Sequence, residues 1–357
     1  MSIFYRKEGS KLQKWPLVSI VVLNYNGLKH LDTCLSSVFK TKYPRYEVFS
    51  VDNGSSDGSV DFVKRKYAAA RVVQLPSNAG VSRGFNLGII RAKGEYVATL
   101  NNDIELDPDW LLPLIMVMEK YPDVAAVDGK YINYYDRRRF DSRSAAGRYL
   151  DFVANPVTRG ADEDDKAQYE DVLRVFYSCT LYRRDAVIDV GMFDEDFFYW
   201  YEDADLGWRL NLRGYKVMYV PNSRVYHKGG QTTIQQDPVA QKPKLRPRFY
   251  FLNKRNKLLI LIKNYSLTTL LRVFPVILFE QVGYVVYWTI KRDKQYSFES
   301  LKALLWNIKN FKKAWIKHLK VQRLRKVTDE EIKAMMKPYY GDAVKLLRFE
   351  SKKAVYQ

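Results

Sequence analysis

The segment that decides the fold is Glu95-Tyr-Val-Ala-Thr-Leu-Asn-Asn-Asp103, an apolar run that ends abruptly in polar residues. Its composition is typical of a buried strand. Its end places the oxygen-bearing side chains of Asn101, Asn102 and Asp103 together. In open α/β sheets, ligands bind at the carboxyl ends of the strands. Asn and Asp are also common turn residues after a strand, so this segment alone leaves a turn and a ligand site equally open.

Two earlier segments repeat the arrangement. Residues 18–23 form a β-branched run that stops at Asn24-Tyr25-Asn-Gly, and residues 46–51 form a second run that stops at Asp52. Helical spacing of apolar residues separates the runs, and strands that alternate with helices predict an α/β fold with a largely parallel sheet. Asp52 and Asp103 would then lie at the same edge of one sheet, which turn chemistry alone does not explain.

Charge divides the chain into two parts. From Ala240 onward there are 27 Lys and Arg against 8 Asp and Glu, a net of +19 that equals the charge of the whole chain. Residues before that point therefore sum to zero. Two prolines in residues 241–248 interrupt regular structure, so we expect a neutral domain over 1–240 and a basic helical region over 241–357.

Cysteine usage and the first residues bear on the compartment. Cys34 and Cys179 are the only cysteines, and both lie in apolar settings. Neither a disulfide framework nor a zinc site is predicted, and a reducing compartment fits. Residues 1–14 are polar and lack the apolar segment of a signal peptide. We expect a cytoplasmic protein.

A second group of candidate residues lies in Phe197-Phe-Tyr-Trp-Tyr-Glu-Asp-Ala-Asp205, where aromatic residues lead into acids at the start of a predicted helix. Acids in a first helical turn are favoured by the helix dipole, which accounts for one or two of the three. Carboxylates beside apolar surface tend to have raised pKa values, which suits a general base.

His227 is a third candidate, because it follows a predicted strand over 216–220 in the central region. The other histidines are His30, on the first predicted helix, and His318, in the basic region. An isolated histidine is more often a hydrogen-bonding core residue than a metal ligand, so its position alone leaves both roles open.

Five segments in this order resemble the inverting glycosyltransferases of family 2, which have the GT-A fold, a Rossmann-like and mostly parallel sheet. They are VSIVVLNYNG (18–27), VDNGSSDG (51–58), GFNLG (84–88), LNND (100–103) and EDADLGWR (202–209). The resemblance spans about residues 18–230, continues weakly through Arg255-Asn256, and is closest to bacterial rhamnosyltransferase-like members. It implies a nucleotide-sugar half over about 15–104 and an acceptor half over about 105–240.

The resemblance also implies roles for the residues at the sheet edge. Asp52 corresponds to the acid that binds the nucleotide base, in a pocket lined by Asn24 and Tyr25. Asp103 corresponds to the last acid of the family's Asp-x-Asp motif, which holds Mg²⁺ or Mn²⁺ against the donor diphosphate. The cation acts as a Lewis acid on the leaving nucleoside diphosphate. His227 matches a histidine that completes the metal site in some members.

The acid-rich helix receives the remaining roles. Asp203 corresponds to the general base that deprotonates the acceptor hydroxyl, and one displacement with one base implies inversion. Trp200 and Glu202 are expected on the acceptor side. Arg83 either contacts the diphosphate or is an exposed residue at a helix start.

The sequence departs from the family at one position. Asn101 stands where the first Asp of Asp-x-Asp belongs, so it adds no negative charge, although it can bond a ribose or sugar hydroxyl. We expect Asn101 or Asn102 to contact the donor, and we expect weak metal affinity in the absence of nucleotide.

The basic region predicts contact with a membrane. Apolar residues recur at helical spacing, and basic residues occupy the other faces, as in helices that lie in a membrane interface. The apolar positions are Leu301, Leu304, Leu305, Ile308, Phe311, Trp315 and Leu319, and the basic ones are Lys302, Lys309, Lys312, Lys313, Lys317, Lys320 and Arg323. A helix packed on the catalytic domain is the alternative. Nucleic acid is not expected as a partner, because no aromatic stacking platform accompanies the charge.

Residues 267–290 are long and apolar enough to suggest a membrane span. Arg272, Glu280 and Gln281 lie inside this segment, and a charge at the centre of a membrane helix costs roughly 2.5–3.5 kcal/mol on insertion scales. Pro275 predicts a break. We therefore expect helices that graze or partly enter the membrane rather than cross it.

These features together predict an inverting transfer of one sugar, from a UDP- or dTDP-linked donor to a hydroxyl of a lipid-linked glycan, in cell-surface polysaccharide synthesis. The protein would lie on the inner face of the cell membrane. A non-catalytic nucleotide-sugar or glycan-binding protein and a polyprenyl-phosphate glycosyltransferase are the alternatives. A processive synthase is less favoured, because no Gln-x-x-Arg-Trp motif follows Asp203. Acceptor selectivity is expected in residues 131–171, which contain the charged runs 136–139 and 162–165.

Overall fold

The computed structural model describes residues 15–141, 148–158, 174–175, 179–229, 234–236 and 243–336. The charged run 162–165 and the end of the basic region lie outside these residues. The strands are β1 (Val18–Asn24), β2 (Tyr46–Asp52), β3 (Ala70–Gln74), β4 (Tyr96–Asn101), β5 (Ile104–Leu106), β6 (Val124–Asn133), β7 (Arg148–Leu150), β8 (Pro156–Thr158), β9 (Arg174–Val175), β10 (Cys179–Arg183), β11 (Lys216–His227), β12 (Ile234–Gln236) and β13 (Pro243–Leu245). The helices are α1 (Leu28–Val38), α2 (Ser59–Lys66), α3 (Val81–Arg91), α4 (Leu111–Lys120), α5 (Arg184–Asp189), α6 (Glu202–Leu212), α7 (Pro247–Asn264), α8 (Leu267–Ile290), α9 (Lys294–Lys309), α10 (Phe311–Leu324) and α11 (Asp329–Met335).

One eight-stranded sheet organises the fold, in the order β3-β2-β1-β4-β10-β6-β11-β5. The four strands at one side are parallel, and β10 runs antiparallel between β4 and β6. Asn24 pairs in register with Asp52, and Leu23 pairs with Asn101. The carboxyl ends of β1, β2 and β4 therefore lie side by side, and the predicted α/β fold is confirmed.

Helices cover both faces of this sheet. Alternate residues of β1 point to opposite faces. Ile20 and Val22 join a core that includes α1 and α4. Val21 and Leu23 join a core that includes α3, α5 and α6. Both cysteines are buried and unbridged. The site edge is thus supported by packing on both sides.

A third core crosses residue 240. Trp208 and Leu212 of α6 share one buried cluster with residues 258–262 of α7 and with side chains of α8, α10 and α11. Trp208 and Tyr265 pack edge to face, with ring centroids 4.8 Å apart. The helix that carries the acid cluster is therefore packed directly against the basic region.

The structure corrects two expectations for the basic region. The apolar stripe over 301–319 lies on two helices rather than one, because α9 ends and α10 begins at Asn310. Pro275 does not break α8, which continues from Leu267 to Ile290. Pro275 is on the exposed side of α8, away from the face that packs on the protein.

Candidate active site

The predicted donor residues form one hydrogen-bonded group at the ends of β1, β2 and β4. Asn24 donates from Nδ2 to Oδ2 of Asp52 and to the hydroxyl of Ser55, both at 3.2 Å. Asn102 donates from Nδ2 to Oδ1 of Asn24 at 2.6 Å. Asn24 and Asp52 are only 1% and 2% exposed, whereas Tyr25 is 48% exposed. The structure thus brings together the residues predicted to bind the donor nucleotide, Asn24, Asp52 and Asn102. Tyr25, next to Asn24 in the chain, is exposed.

The Asp52 carboxylate is fixed by the turn that follows it. Its Oδ1 accepts hydrogen bonds from the backbone N–H groups of Gly54 and Ser55, at 3.1 and 2.8 Å. Gly54 has a φ of +77°, which favours glycine, and a Cβ there would lie 2.5 Å from the backbone of Ser77. Among the bonds of this group, Oδ2 accepts a hydrogen bond from Asn24 alone, and Asp52 is almost fully buried.

Asp103 and His227 meet at the next position along the edge. Nε2 of His227 lies 3.4 Å from Oδ2 of Asp103. The backbone N–H of Lys228 donates to the carbonyl oxygen of Asp103 at 3.0 Å, which ties the end of β11 to the end of β4. His30 also lies near Asp103, because the Asp103 charge acts on its pKa, although the sequence placed it only on a helix.

Asp141 is the member of this group that sequence reasoning missed. Its Oδ2 lies 2.6 Å from Nδ1 of His227, so the imidazole is held between two carboxylates. Burial lowers the pKa of His227, but the bonds and charges of Asp103 and Asp141 outweigh it and raise that pKa to about 9. Burial conversely raises the pKa of Asp103, and His227 more than offsets this effect, so the pKa lies below its usual range.

The residues present fit one side of a divalent cation site. Oδ1 of Asp103 is buried and has no hydrogen-bond partner among the described residues. Two ligands of one cation, with bonds of about 2.1 Å at right angles, lie about 3.0 Å apart, close to the separation of Asp103 and His227. No cluster of three or more His, Cys, Asp or Glu side chains suited to a metal occurs in the described ranges. The remaining ligands would come from the donor and from water.

The predicted base lies on α6, behind a strained loop. Phe198, Trp200 and Tyr201 have positive φ values of 61°, 70° and 69°, which are uncommon for residues other than glycine. Asp203 is partly exposed in the first turn of α6, and its charge adds to burial in raising the pKa of Tyr182 on β10. Asp203 therefore lies near Tyr182 of β10, the strand beside β4.

Glu202 is in a different environment from Asp203. It is 8% exposed, and its Oε2 has no hydrogen-bond partner among the described residues. Burial, and next the charge of Asp203, raise the pKa of Glu202 far above its usual range. Of the two acids, Asp203 is therefore the one that solvent reaches.

Three other predicted contacts are placed as follows. Arg83 is exposed and lies 3.4 Å from the carboxylate of Glu195. Asn101 is partly exposed, and its backbone oxygen accepts from Sγ of Cys34. Trp200 stacks on Tyr199, with ring centroids 5.7 Å apart. Arg83 thus forms an ion pair with Glu195 at the surface of the protein.

Comparison of the sequence with known proteins identifies relatives. The sequence model of glycosyl transferase family 2 matches residues 19–191, which include Asp52 and Asp103 and end before Asp203 and His227. Poly-beta-1,6-N-acetyl-D-glucosamine synthase of Staphylococcus epidermidis is 26% identical over 208 residues, which cover 58% of this chain and 48% of the relative. The synthase of the same name from Staphylococcus aureus strain COL is 26% identical over 206 residues, covering 57% and 48%. The chain spans about half the length of the curated relatives it matches.

Solved structures share the fold. The structure of GalNAc-T7 with UDP, GalNAc and Mn²⁺ matches with a TM-score of 0.56 and 17% identity, over 70% of this chain and 48% of that chain. S. aureus TarS 1–349 in complex with UDP matches with a TM-score of 0.52 and 16% identity, over 86% and 89%. These likenesses confirm the predicted GT-A fold.

Proposed function

We propose that this chain, whose residues 19–191 match the sequence model of glycosyl transferase family 2, transfers one sugar, with inversion, from a nucleoside-diphosphate sugar to a hydroxyl of a lipid-linked glycan. The observation that carries the proposal is the pair of Asp103, with its unpartnered buried oxygen, and His227, 3.4 Å away at the carboxyl edge of the sheet. The relatives that this chain matches are polysaccharide synthases, which supports a role in polysaccharide synthesis.

The donor group supports a UDP- or dTDP-linked sugar. An ionised carboxylate only accepts hydrogen bonds, and uracil and thymine both present an imide N–H donor. Asp52 is almost fully buried below Asn24, so a base reaches it only when the Asn24 and Asn102 side chains give way. Asn101 and Asn102, both partly exposed, would contact the ribose or sugar hydroxyls.

Asp103 and His227 would hold Mg²⁺ or Mn²⁺ against the donor diphosphate. A bound cation supplies Lewis-acid stabilisation of the charge that develops on the departing diphosphate. A carboxylate with an imidazole suits Mn²⁺ better than an all-oxygen site does. Asp141 fixes the ring of His227 so that Nε2 faces the site.

Asp203 would accept the proton of the acceptor hydroxyl as that oxygen attacks the anomeric carbon. It is partly exposed, whereas Glu202 is buried and has a pKa raised well above its usual range. Of the two acids, Asp203 is therefore the one that an acceptor hydroxyl can reach. A single base on one side of the sugar gives inversion without a covalent intermediate.

The basic region would hold the enzyme on the inner face of the cell membrane. Among the described residues, 15 of the 21 exposed large hydrophobic side chains lie within residues 267–319. Those on α8 are Leu267, Leu271, Phe274, Leu278, Phe279, Val282, Val286 and Ile290. Such an apolar face bordered by lysines matches the chemistry of an anionic bilayer.

The opposite face of α8 argues for an in-plane position. By length and composition α8 is the one described helix that could cross a membrane, and 39% of its apolar window is buried in the protein. Glu280 and Gln281 are almost fully buried, and Glu280 accepts both carboxylate bonds from Nζ of Lys257 at 2.6 Å. A span would have to take this face away from α7, at the cost of an unpaired buried charge.

A processive synthase is the second candidate, because the curated relatives are synthases. The absence of Gln-x-x-Arg-Trp after Asp203 favours a single transfer. Analysis of product length on a synthetic lipid-linked acceptor distinguishes them, because a ladder of products would support the synthase.

The test of the proposed transfer uses a panel of nucleotide sugars with a lipid-linked glycan acceptor extracted from membranes. Asp203→Asn should abolish transfer while UDP binding persists, and chelation by EDTA should stop the wild type until Mg²⁺ or Mn²⁺ is restored. Asp109→Asn is the control, since Asp109 forms an exposed pair with Lys42. Wild-type turnover by Asp203→Asn would remove the base assignment, and full activity in EDTA would remove the metal.

Membrane contact is tested separately by flotation with vesicles. The triple variant Leu271→Ser/Phe274→Ser/Phe279→Ser should lose binding to vesicles that contain anionic lipid. Ile90→Ser/Met116→Ser changes exposed apolar residues elsewhere and should leave binding unchanged. Equal flotation of all three proteins would show that the packed helices serve only the fold.

A further inference from the structure

The loop before α6 is held in its strained conformation by the basic region. Nδ2 of Asn256 lies within hydrogen-bond distance of three carbonyl oxygens of this loop, those of Phe197 and Tyr199 at 2.9 Å and of Trp200 at 2.7 Å. An amide NH₂ has two hydrogens, so one of them is shared. Asn256 itself is 0% exposed, and no other described side chain has this set of contacts with the loop.

Arg255, the residue before Asn256, also donates hydrogen bonds to this part of the backbone. Its Nη2 donates to the carbonyl oxygens of Asp196 and Phe197 at 2.6 and 2.8 Å. Its Nε donates to Oδ1 of Asn256 at 2.8 Å, which orients the amide so that Nδ2 faces the loop. The pair thus forms one donor surface on α7 for a run of backbone acceptors.

The loop needs such an external hold. Non-glycine residues at positive φ cost about 1–3 kcal/mol each and persist only when their surroundings fix them. Trp200 and Tyr201 are two such residues in succession, and Tyr201 is the N-cap of α6. Because Glu202 and Asp203 follow immediately, the direction in which α6 starts depends on the conformation of this loop.

We propose that Asn256 is a positioning residue for the proposed base, which holds the loop 197–201 so that Asp203 enters α6 in its reactive orientation. This inference rests on the proposed function only for its catalytic consequence. Its structural part, that Asn256 fixes the loop, stands independently. Arg255 supports this role by orienting the amide of Asn256 and by bonding the carbonyl oxygens of Asp196 and Phe197.

The test compares Asn256→Ala and the milder Asn256→Ser with wild-type protein. Asn211→Ala is the control, because Asn211 is a buried asparagine on α6 that bonds Gly207 within its own helix. Asn256→Ala should lower kcat about 100-fold, as expected when a catalytic group is misplaced, with donor KM and UDP affinity unchanged. Amide hydrogen exchange over residues 197–203 should accelerate at least about tenfold while the strands of the sheet keep their protection.

The two readouts separate the possible failures. If the wild type transfers no sugar, the proposed function fails, and exchange over 197–203 still decides whether Asn256 fixes the loop. If exchange and kcat in Asn256→Ala match those of Asn211→Ala, the positioning role is overturned. Loss of protection throughout the sheet in both Asn256 variants would show a general role in stability and would overturn it as well.

Discussion

Nδ1 of His227 lies 2.6 Å from Oδ2 of Asp141, a residue 86 positions earlier in the chain. The other ring nitrogen faces Asp103 at 3.4 Å. A histidine whose second nitrogen is bonded to a carboxylate has a fixed tautomer and orientation, and such partners are as important to metal sites as the ligands themselves.

Asp141→Asn should therefore weaken the metal site without removing a ligand. We expect the apparent affinity for Mn²⁺ to fall about 10- to 100-fold, measured as the Mn²⁺ concentration that restores half-maximal transfer after EDTA treatment. Saturating Mn²⁺ should recover most of the activity. Asp136→Asn, which changes a partly exposed aspartate paired with Arg138, is the control. An unchanged Mn²⁺ requirement in Asp141→Asn would contradict the role.

Glu202→Gln should raise stability increasingly as pH rises. The pKa of Glu202 is raised by burial and by Asp203, whereas in the unfolded chain it is about 4.3. Above that value the folded protein retains a proton that the unfolded chain has released, so stability falls with rising pH until the raised pKa is passed. Glutamine removes this dependence.

The effect is measured by denaturant unfolding at about pH 5 and about pH 8. Both values lie above the ordinary pKa of a glutamate, so the unfolded chain has released the proton at each of them. The advantage of Glu202→Gln should be larger at the higher pH. Glu330→Gln changes an exposed glutamate and should show no such trend. A constant difference between Glu202→Gln and wild type at both values would contradict a protonated Glu202.

Gly80→Ala should destabilise the protein more than Gly58→Ala. Both glycines have positive φ, +88° and +85°, but a Cβ at Gly80 would lie 2.5 Å from the carbonyl oxygen of Phe198, whereas Gly58 has open space. We expect a loss of about 1 kcal/mol for Gly58→Ala from backbone strain. We expect about 3 kcal/mol or more for Gly80→Ala from strain and overlap. Thermal or denaturant unfolding measures both losses of stability. Equal losses would show that the loop 197–201 moves to accommodate the methyl group at little cost.

Glu280→Leu should lower the free energy of unfolding by about 3–5 kcal/mol, because it leaves Lys257 buried without its partner. The double variant Lys257→Met/Glu280→Leu should recover much of that loss, since both charges are then removed. Lys42→Met tests an exposed pair with Asp109 and should cost less than about 1 kcal/mol. Similar losses in Glu280→Leu and Lys42→Met would show that α8 does not pack on α7 in solution.

The site at the sheet edge was predictable because each of its strands and strand ends is visible in a short segment of the sequence. Asn24, Asp52 and Asn101 each end a β-branched run, and parallel strands bring such ends together. The register of β1 with β2 and β4 bears this out. The family resemblance added the roles, which residue spacing alone did not provide.

Asp141 was missed because its contact is not local. It follows the charged run 136–139, which was interpreted as part of an acceptor region. Its partner is supplied by β11, which lies beside β6 only after the sheet has formed. A lone aspartate after an arginine-rich segment carries no sequence signal for a histidine 86 residues away.

The basic helices show a second limit. Charge and periodicity predicted lysines around an apolar stripe, but these features do not choose the partners of individual lysines. Lys317 pairs with both Asp194 and Asp196, and Lys313 pairs with Asp196. Some of the basic residues predicted to face a membrane therefore bind the catalytic part of the chain. Arg83 likewise pairs with Glu195.

The hydrogen bonds from Asn256 to the loop 197–201 affect the order in which parts of the site form during translation. The strands that carry Asp52 and Asp103 leave the ribosome first, and they contain what is needed to pair with one another. The start of α6 must wait until the chain has been extended by more than fifty further residues, as the separations of 56 to 59 between Asn256 and its acceptors require. A nascent chain would therefore present the proposed nucleotide edge before its proposed base is in place, and would position that base only as the basic helices emerge.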